Sequence, residues 1–215
     1  MDKWGDHALT CSCGGDRTVR HNAIRNICFE KATDAGLRPE REKANLLPSH
    51  PAEDSLPTRG NGRHPADVWI PRGRSNISRG EPCDCAVRSG MQSALFRPAA
   101  ATPTLVFQLY EDRKRSFQNT LEACENAGFD FVPLIFEAHG GGWSSANRAI
   151  FDWMSKLQAA SQHENAEAIS LRIAQRISCT LHRENAQAIL RRLAAPAAPS
   201  TLPSGWDANG VETKT

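Results

Sequence analysis

Two short apolar segments, each with an acid at or near its start, constrain this chain most. They are Arg63-His64-Pro65-Ala66-Asp67-Val68-Trp69-Ile70 and Pro82-Cys83-Asp84-Cys85-Ala86-Val87. Both have the length and β-branched or aromatic content of strands. The connection between them, Pro71 to Glu81, holds Gly73, Ser75, Asn76, Ser78 and Gly80, which predicts a hairpin. Pairing the strands brings Asp67 and Asp84 together. Two adjacent carboxylates repel, and a divalent cation between them relieves the repulsion. Such a pair is the core of a metal-dependent site for cleaving phosphodiesters.

The rest of the chain reads as alternating helices and strands. Val19, Ala23, Ile24, Ile27, Cys28, Ala32 and Ala35 recur at helical spacing, and Gly36 follows, so a helix is expected over 18–35. Residues 37–47 read as a short strand ending in Leu46-Leu47. The Pro-, Gly- and Ser-rich segment 48–64 and the stretch 88–103 read as loops. A second helix is expected over 104–127, closed by Gly128. Residues 129–137 read as a buried strand in which Pro133 demands an edge or a bulge. Two helices follow, at 144–160 and 163–193, with Ser161 and Glu164 as a capping box for the second. Ile169, Ile173, Ile177, Leu181, Ile189, Leu190 and Leu193 mark a broad stripe on that helix, expected to dock on the rest of the domain.

The expected class is therefore α/β, a small mixed sheet flanked by helices in the order αβββαβ, with extra C-terminal helices. The expected divisions are an N-terminal arm at 1–17, a core at 18–143, a helical extension at 144–195 and a disordered tail at 196–215.

Mean hydropathy is −0.50 and no apolar run reaches membrane-spanning length, which predicts a soluble protein with no membrane partner. Met1 to His7 lacks an apolar signal core. With seven cysteines, an odd number, the thiols are expected to be reduced and the protein intracellular. The formal net charge of +2 is too small to establish a nucleic-acid partner. Residues 1–100 carry 15 Lys and Arg against 12 Asp and Glu. Arg72, Arg74 and Arg79 in the hairpin turn either contact phosphates or are simply solvated.

Three motifs in order carry a resemblance: Gly14-Gly15-Asp16-Arg17-Thr18-Val19-Arg20-His21-Asn22, His64-Pro65-Ala66-Asp67 and Asp84-Cys85-Ala86-Val87. Together they resemble the restriction-like, PD-(D/E)XK endonuclease domain at the C-terminus of site-specific non-LTR retrotransposon polyproteins. The resemblance covers roughly residues 5–138. It implies a Mg²⁺-dependent (or Mn²⁺-dependent) nuclease that nicks DNA and leaves a 3′-hydroxyl to prime reverse transcription. The implied partners are DNA, with RNA or a reverse transcriptase domain as further ones. The implied location is nuclear where the protein acts on chromosomal DNA. The chain departs from the family in three ways. Ala66 separates Pro65 from Asp67. Ala86 stands where the family's lysine often lies, and Lys114 on the next helix is the matching substitute. The polymerase and the first half of the zinc motif are missing, so a fragment or a diverged remnant is expected.

Asp67 and Asp84 are the expected metal ligands, through hard carboxylate oxygens. Each Asp, taken alone, reads sooner as a turn cap; the paired placement together with the resemblance favours the metal role. Lys114 and Arg113 lie at opposite edges of a stripe formed by Tyr110, Phe117, Leu121 and Cys124; geometry does not choose between them, and the resemblance favours Lys114. Glu42 either supplies a third acid or pairs with Arg38 or Lys43, and the pairing is the favoured reading. Arg17, Arg20 and His21 open the first helix, where they either meet phosphate or serve packing, the arginines bridging to acids such as Asp16. His7 and Cys11 form a zinc half-site; a complete one would have to recruit Cys13 and His21 as well. An orphaned half-motif is the favoured reading there. The competing functions are an active DNA endonuclease, a catalytically silent remnant that binds nucleic acid, and an interaction module built on the C-terminal helices.

Overall fold

A computed structural model describes residues 15–47, 66–71, 81–88, 104–138 and 142–194, with the backbone alone for 81–88, 106 and 192–194. The expected zinc half-site residues His7, Cys11 and Cys13, and the turn residues Arg72, Arg74 and Arg79, lie outside the described residues.

Helix α1 runs Asp16–Asp34. Strands β1 (Glu40–Arg41), β2 (Val68–Ile70) and β3 (Glu81–Arg88) follow. Helix α2 (Leu105–Ser116), a short 3₁₀ turn (Phe117–Asn119) and helix α3 (Thr120–Asn126) lead to β4 (Val132–Glu137). Helices α4 (Ser145–Gln162) and α5 (Ala166–Ala194) complete the described fold. The four strands form one sheet in the order β1-β2-β3-β4. The first two pairings are antiparallel and β3 with β4 is parallel. The chain is thus a helix-rich α/β protein with a small mixed sheet.

Alternation explains the layering. Val68 and Ile70 point to one face of β2, and Val132, Leu134 and Phe136 to one face of β4. These meet Ile24, Ile27 and Cys28 of α1, Ile150, Phe151 and Met154 of α4, and Ile169, Ile173, Ile177 and Leu181 of α5 in one core. The expected stripe on α5 is therefore docked from Ile169 to Leu181, and helices α4 and α5 share the core of the first half. Ile189 is half-buried and Leu190 is 61% exposed; the Leu193 side chain lies outside the described residues. A smaller cluster of Leu47, Cys124 and Phe131 forms separately.

Three polar tethers join α1 to α5 in a constant antiparallel register. Arg176 pairs with Glu30, Arg20 Nη1 donates to Asn185 Oδ1 at 2.8 Å, and Arg191 donates twice to Asp16 Oδ1 at 2.7 and 2.9 Å. Each step up one helix matches a step down the other. The Arg176 guanidinium holds the Glu30 carboxyl below its ordinary range, and the Arg176 pKa rises in return.

Pro133 lies, as expected, on an edge strand of the described sheet. That edge is covered. The Asn147 side chain donates to Ile135 O at 2.7 Å and accepts from Ile135 N–H at 2.9 Å. Ser144 N–H reaches Ile135 O, and Glu137 N–H reaches Gly142 O.

Several expectations are corrected. The single helix over 104–127 is two helices, because Gln118 and Asn119 adopt left-handed backbone (φ 49° and 53°). Phe117 is thereby turned out to 63% exposure, whereas Glu111 is buried at 7%. The strand within 37–47 is only two residues long, since Glu42 and Asn45 take positive φ. Ser161 does not cap α5: its hydroxyl donates to Gln158 O, and Asn165 Oδ1 accepts the Ala168 N–H instead. Val19, placed on the buried stripe of α1, is 44% exposed.

Candidate functional site

The site is built where α1 crosses the β1–β2 end of the sheet. Glu40 pairs with Trp69 and Arg41 with Val68, so the next step sets Glu42 opposite Asp67. The Glu42 N–H does donate to Asp67 O, at 3.0 Å. On the other side Val68 pairs with Cys83, and continuing that register sets Asp67 opposite the position of Asp84. Glu42, Asp67 and Asp84 therefore occupy one row across three neighbouring strands. Directly opposed residues of antiparallel strands are the closest cross-strand neighbours.

Helix α1 reaches this row with one face. His21, Arg25 and Phe29 recur every fourth residue and share a side of the helix. His21 Nε2 lies 3.1 Å from Asp67 Oδ1, with the two side chains 31% and 19% exposed. One turn on, the Arg25 guanidinium pairs with the Glu42 carboxylate. Another turn on, Arg41 stacks 4.0 Å above the Phe29 ring. The favoured sequence reading of Glu42 had the right kind of contact and the wrong cation. Arg25 takes it, while Lys43 bonds Glu40. The repeat of His21, Arg25 and Phe29 was the sequence signal that could have found this face.

Glu42 sits at φ 44°. A left-handed glutamate is uncommon and carries a backbone cost of order 1 kcal/mol, so its surroundings must hold it there. The Asp67 carbonyl and Arg25 are two of the groups that do so.

The other expected site residues divide. Arg20 is 4% exposed and bonded to Asn185, so it serves the α1–α5 interface and is not presented to a phosphate. The acid beside it, Asp16, accepts from Arg191 across the same interface. Arg17 is exposed at the start of α1. His21 is drawn to Asp67. Lys114 is half-buried and Arg113 exposed on α2, which packs against β4, the strand next to β3.

Carboxylate oxygens, of the kind Glu42, Asp67 and Asp84 carry, are hard donors of the type that Mg²⁺ and Mn²⁺ take in preference to soft metals. Among the described residues, no three His, Cys, Asp or Glu side chains form a metal-holding group, and the Asp84 side chain is not among those described. No described helix is long and apolar enough to cross a membrane. Compared with known proteins, the chain matches no family model and no curated protein.

Proposed function

We propose that this chain is a divalent-metal-dependent DNA endonuclease domain with a restriction-like αβββαβ core, related to those that cut retrotransposon target sites. The observation that carries the reading is the row of Glu42, Asp67 and Asp84 positions across β1, β2 and β3. Its support is that one register aligns three acids from segments far apart in sequence. The element order and the parallel β3–β4 pair agree with the same core.

In this reading Asp67 and Asp84 hold the cation, and Glu42 is the third acid. A bound divalent cation lowers the pKa of its water and offsets charge developing on the scissile phosphate. His21 orients the Asp67 carboxylate through its ring nitrogen, as an outer partner of a metal ligand commonly does. Lys114 is the candidate to polarise the attacking water or a phosphate oxygen. Arg17 and the turn residues Arg72 and Arg74 are the candidates for backbone phosphates.

The test is nicking of supercoiled plasmid DNA with Mg²⁺ or Mn²⁺. Asp67→Ala and Asp84→Ala should each abolish it. A folded wild-type chain that cuts no DNA at any concentration of either metal would reject the reading. One set of observations favours the silent, nucleic-acid-binding alternative: Ala86 replaces the usual lysine, and both Asp67 and Glu42 already have cationic or ionisable partners on α1. That alternative predicts salt-sensitive DNA binding without cleavage.

A further inference from the structure

Arg25 sets a largely buried positive charge beside the acid row. Its side chain is only 15% exposed, and among the described residues Glu42 is its one polar partner. Its Nε is buried with no hydrogen-bond partner. The partner is also telling. Glu42 is 60% exposed, left-handed, and one position across from Asp67. Arg25 therefore places a positive charge against an acid of the proposed metal row, on a residue whose backbone is already held away from strand geometry.

We infer that Arg25 is a built-in counter-ion that sets the divalent-cation affinity of this site by competing for Glu42. The inference rests on the nuclease reading and names a control on the same site. Without metal, the guanidinium neutralises Glu42 and limits the repulsion between Glu42 and Asp67. When Mg²⁺ or Mn²⁺ is held there, the Glu42 carboxylate turns from Arg25 to the cation. The cation then binds against the nearby positive charge, which weakens it. His21 is a separate case, since its ring nitrogen contacts Asp67. The half-exposed setting keeps the Coulomb effect moderate.

The experiment measures Mn²⁺ binding by electron paramagnetic resonance, and Mg²⁺-induced shifts in thermal midpoint, on the full chain. Arg25→Met keeps the apolar stem and removes the charge; it should tighten Mn²⁺ binding roughly three- to tenfold. Arg25→Lys should stay within about twofold of wild type, since it keeps the charge. Unchanged or weaker binding in Arg25→Met, with binding still abolished by Asp67→Ala, overturns the inference and leaves the nuclease reading standing. Binding that survives Asp67→Ala overturns the metal site itself. A wild-type measurement covers failure of Arg25→Met to fold. The Arg25 Nε resonance, assigned by its loss in Arg25→Lys, should move on Mg²⁺ addition with the midpoint of the thermal stabilisation; a resonance that does not move overturns the inference.

Discussion

Helix α1 shows two different faces to the protein, and their chemistry differs in kind. The face toward α5 is buried and register-locked: Ile24, Ile27 and Cys28 pack in the core, while Asp16, Arg20 and Glu30 meet Arg191, Asn185 and Arg176. The face toward β1 and β2 is polar and partly open, with His21 and Arg25 set against Asp67 and Glu42. The first face spreads its contacts along the helix, and its buried members tolerate little change. The second concentrates charge at one corner, on a strained residue and two very short strands. Apolar packing dominates one side of the helix, and the proposed metal row lies on the other.

That contrast can be broken by mutation, and the largest effects belong to the buried side. Phe136→Ala should cost about 3–5 kcal/mol in denaturant unfolding. Phe136 is fully buried, with edge-on contact to Trp143 at 5.6 Å and a tilted contact to Phe151 at 6.3 Å. A cost below about 1 kcal/mol would show that this layer is not the core. Asn185→Ala should come next, at roughly 2–4 kcal/mol. It removes the Oδ1 that accepts from buried Arg20 and the amide that donates to Ala138 O at 2.7 Å. Asp67→Ala should change stability by less than about 1 kcal/mol, being partly exposed at the open corner, yet remove all metal-dependent nicking. A large stability loss there would erase the distinction between the faces.

The smallest effect is at the outer tether. Glu30 and Arg176 are each nearly half exposed, so Glu30→Gln should cost only about 0.2–1 kcal/mol at neutral pH. Its pH dependence has a definite sign. The folded-state carboxyl lies below the ordinary value of 4.5. Its contribution is therefore present above that value and lost as pH falls through the lower, folded-state pKa. The unfolding curves of Glu30→Gln and wild type should differ by a constant amount above about pH 5.5 and converge in acid.

Much of this division was legible in the residues. The apolar spacing of α1 and α5 located both core stripes, and Pro133 marked an edge strand. The acid-bearing segments predicted an antiparallel pair, which the backbone register bears out. What the sequence hid depends on partners far along the chain. Arg20 read equally as a phosphate ligand or a packing residue because nothing nearby says that Asn185 will lie beside it. Glu42 was paired with neighbours in sequence, whereas the helix supplied Arg25. The break at Gln118 and Asn119 was masked by an apolar pattern that ran on in phase through two left-handed residues. Local periodicity finds elements; it does not say which cation reaches which acid.

The covering of β4 by Asn147 has a consequence for assembly. One amide side chain bonds both polar groups of Ile135 and so imitates the strand that would otherwise lie alongside. Recruitment of a second molecule through that border would first have to evict Asn147 and the Gly142 to Ser144 segment. The protein has in effect closed its own sheet there, which guards a hydrophobic ribbon against fibril-like self-association.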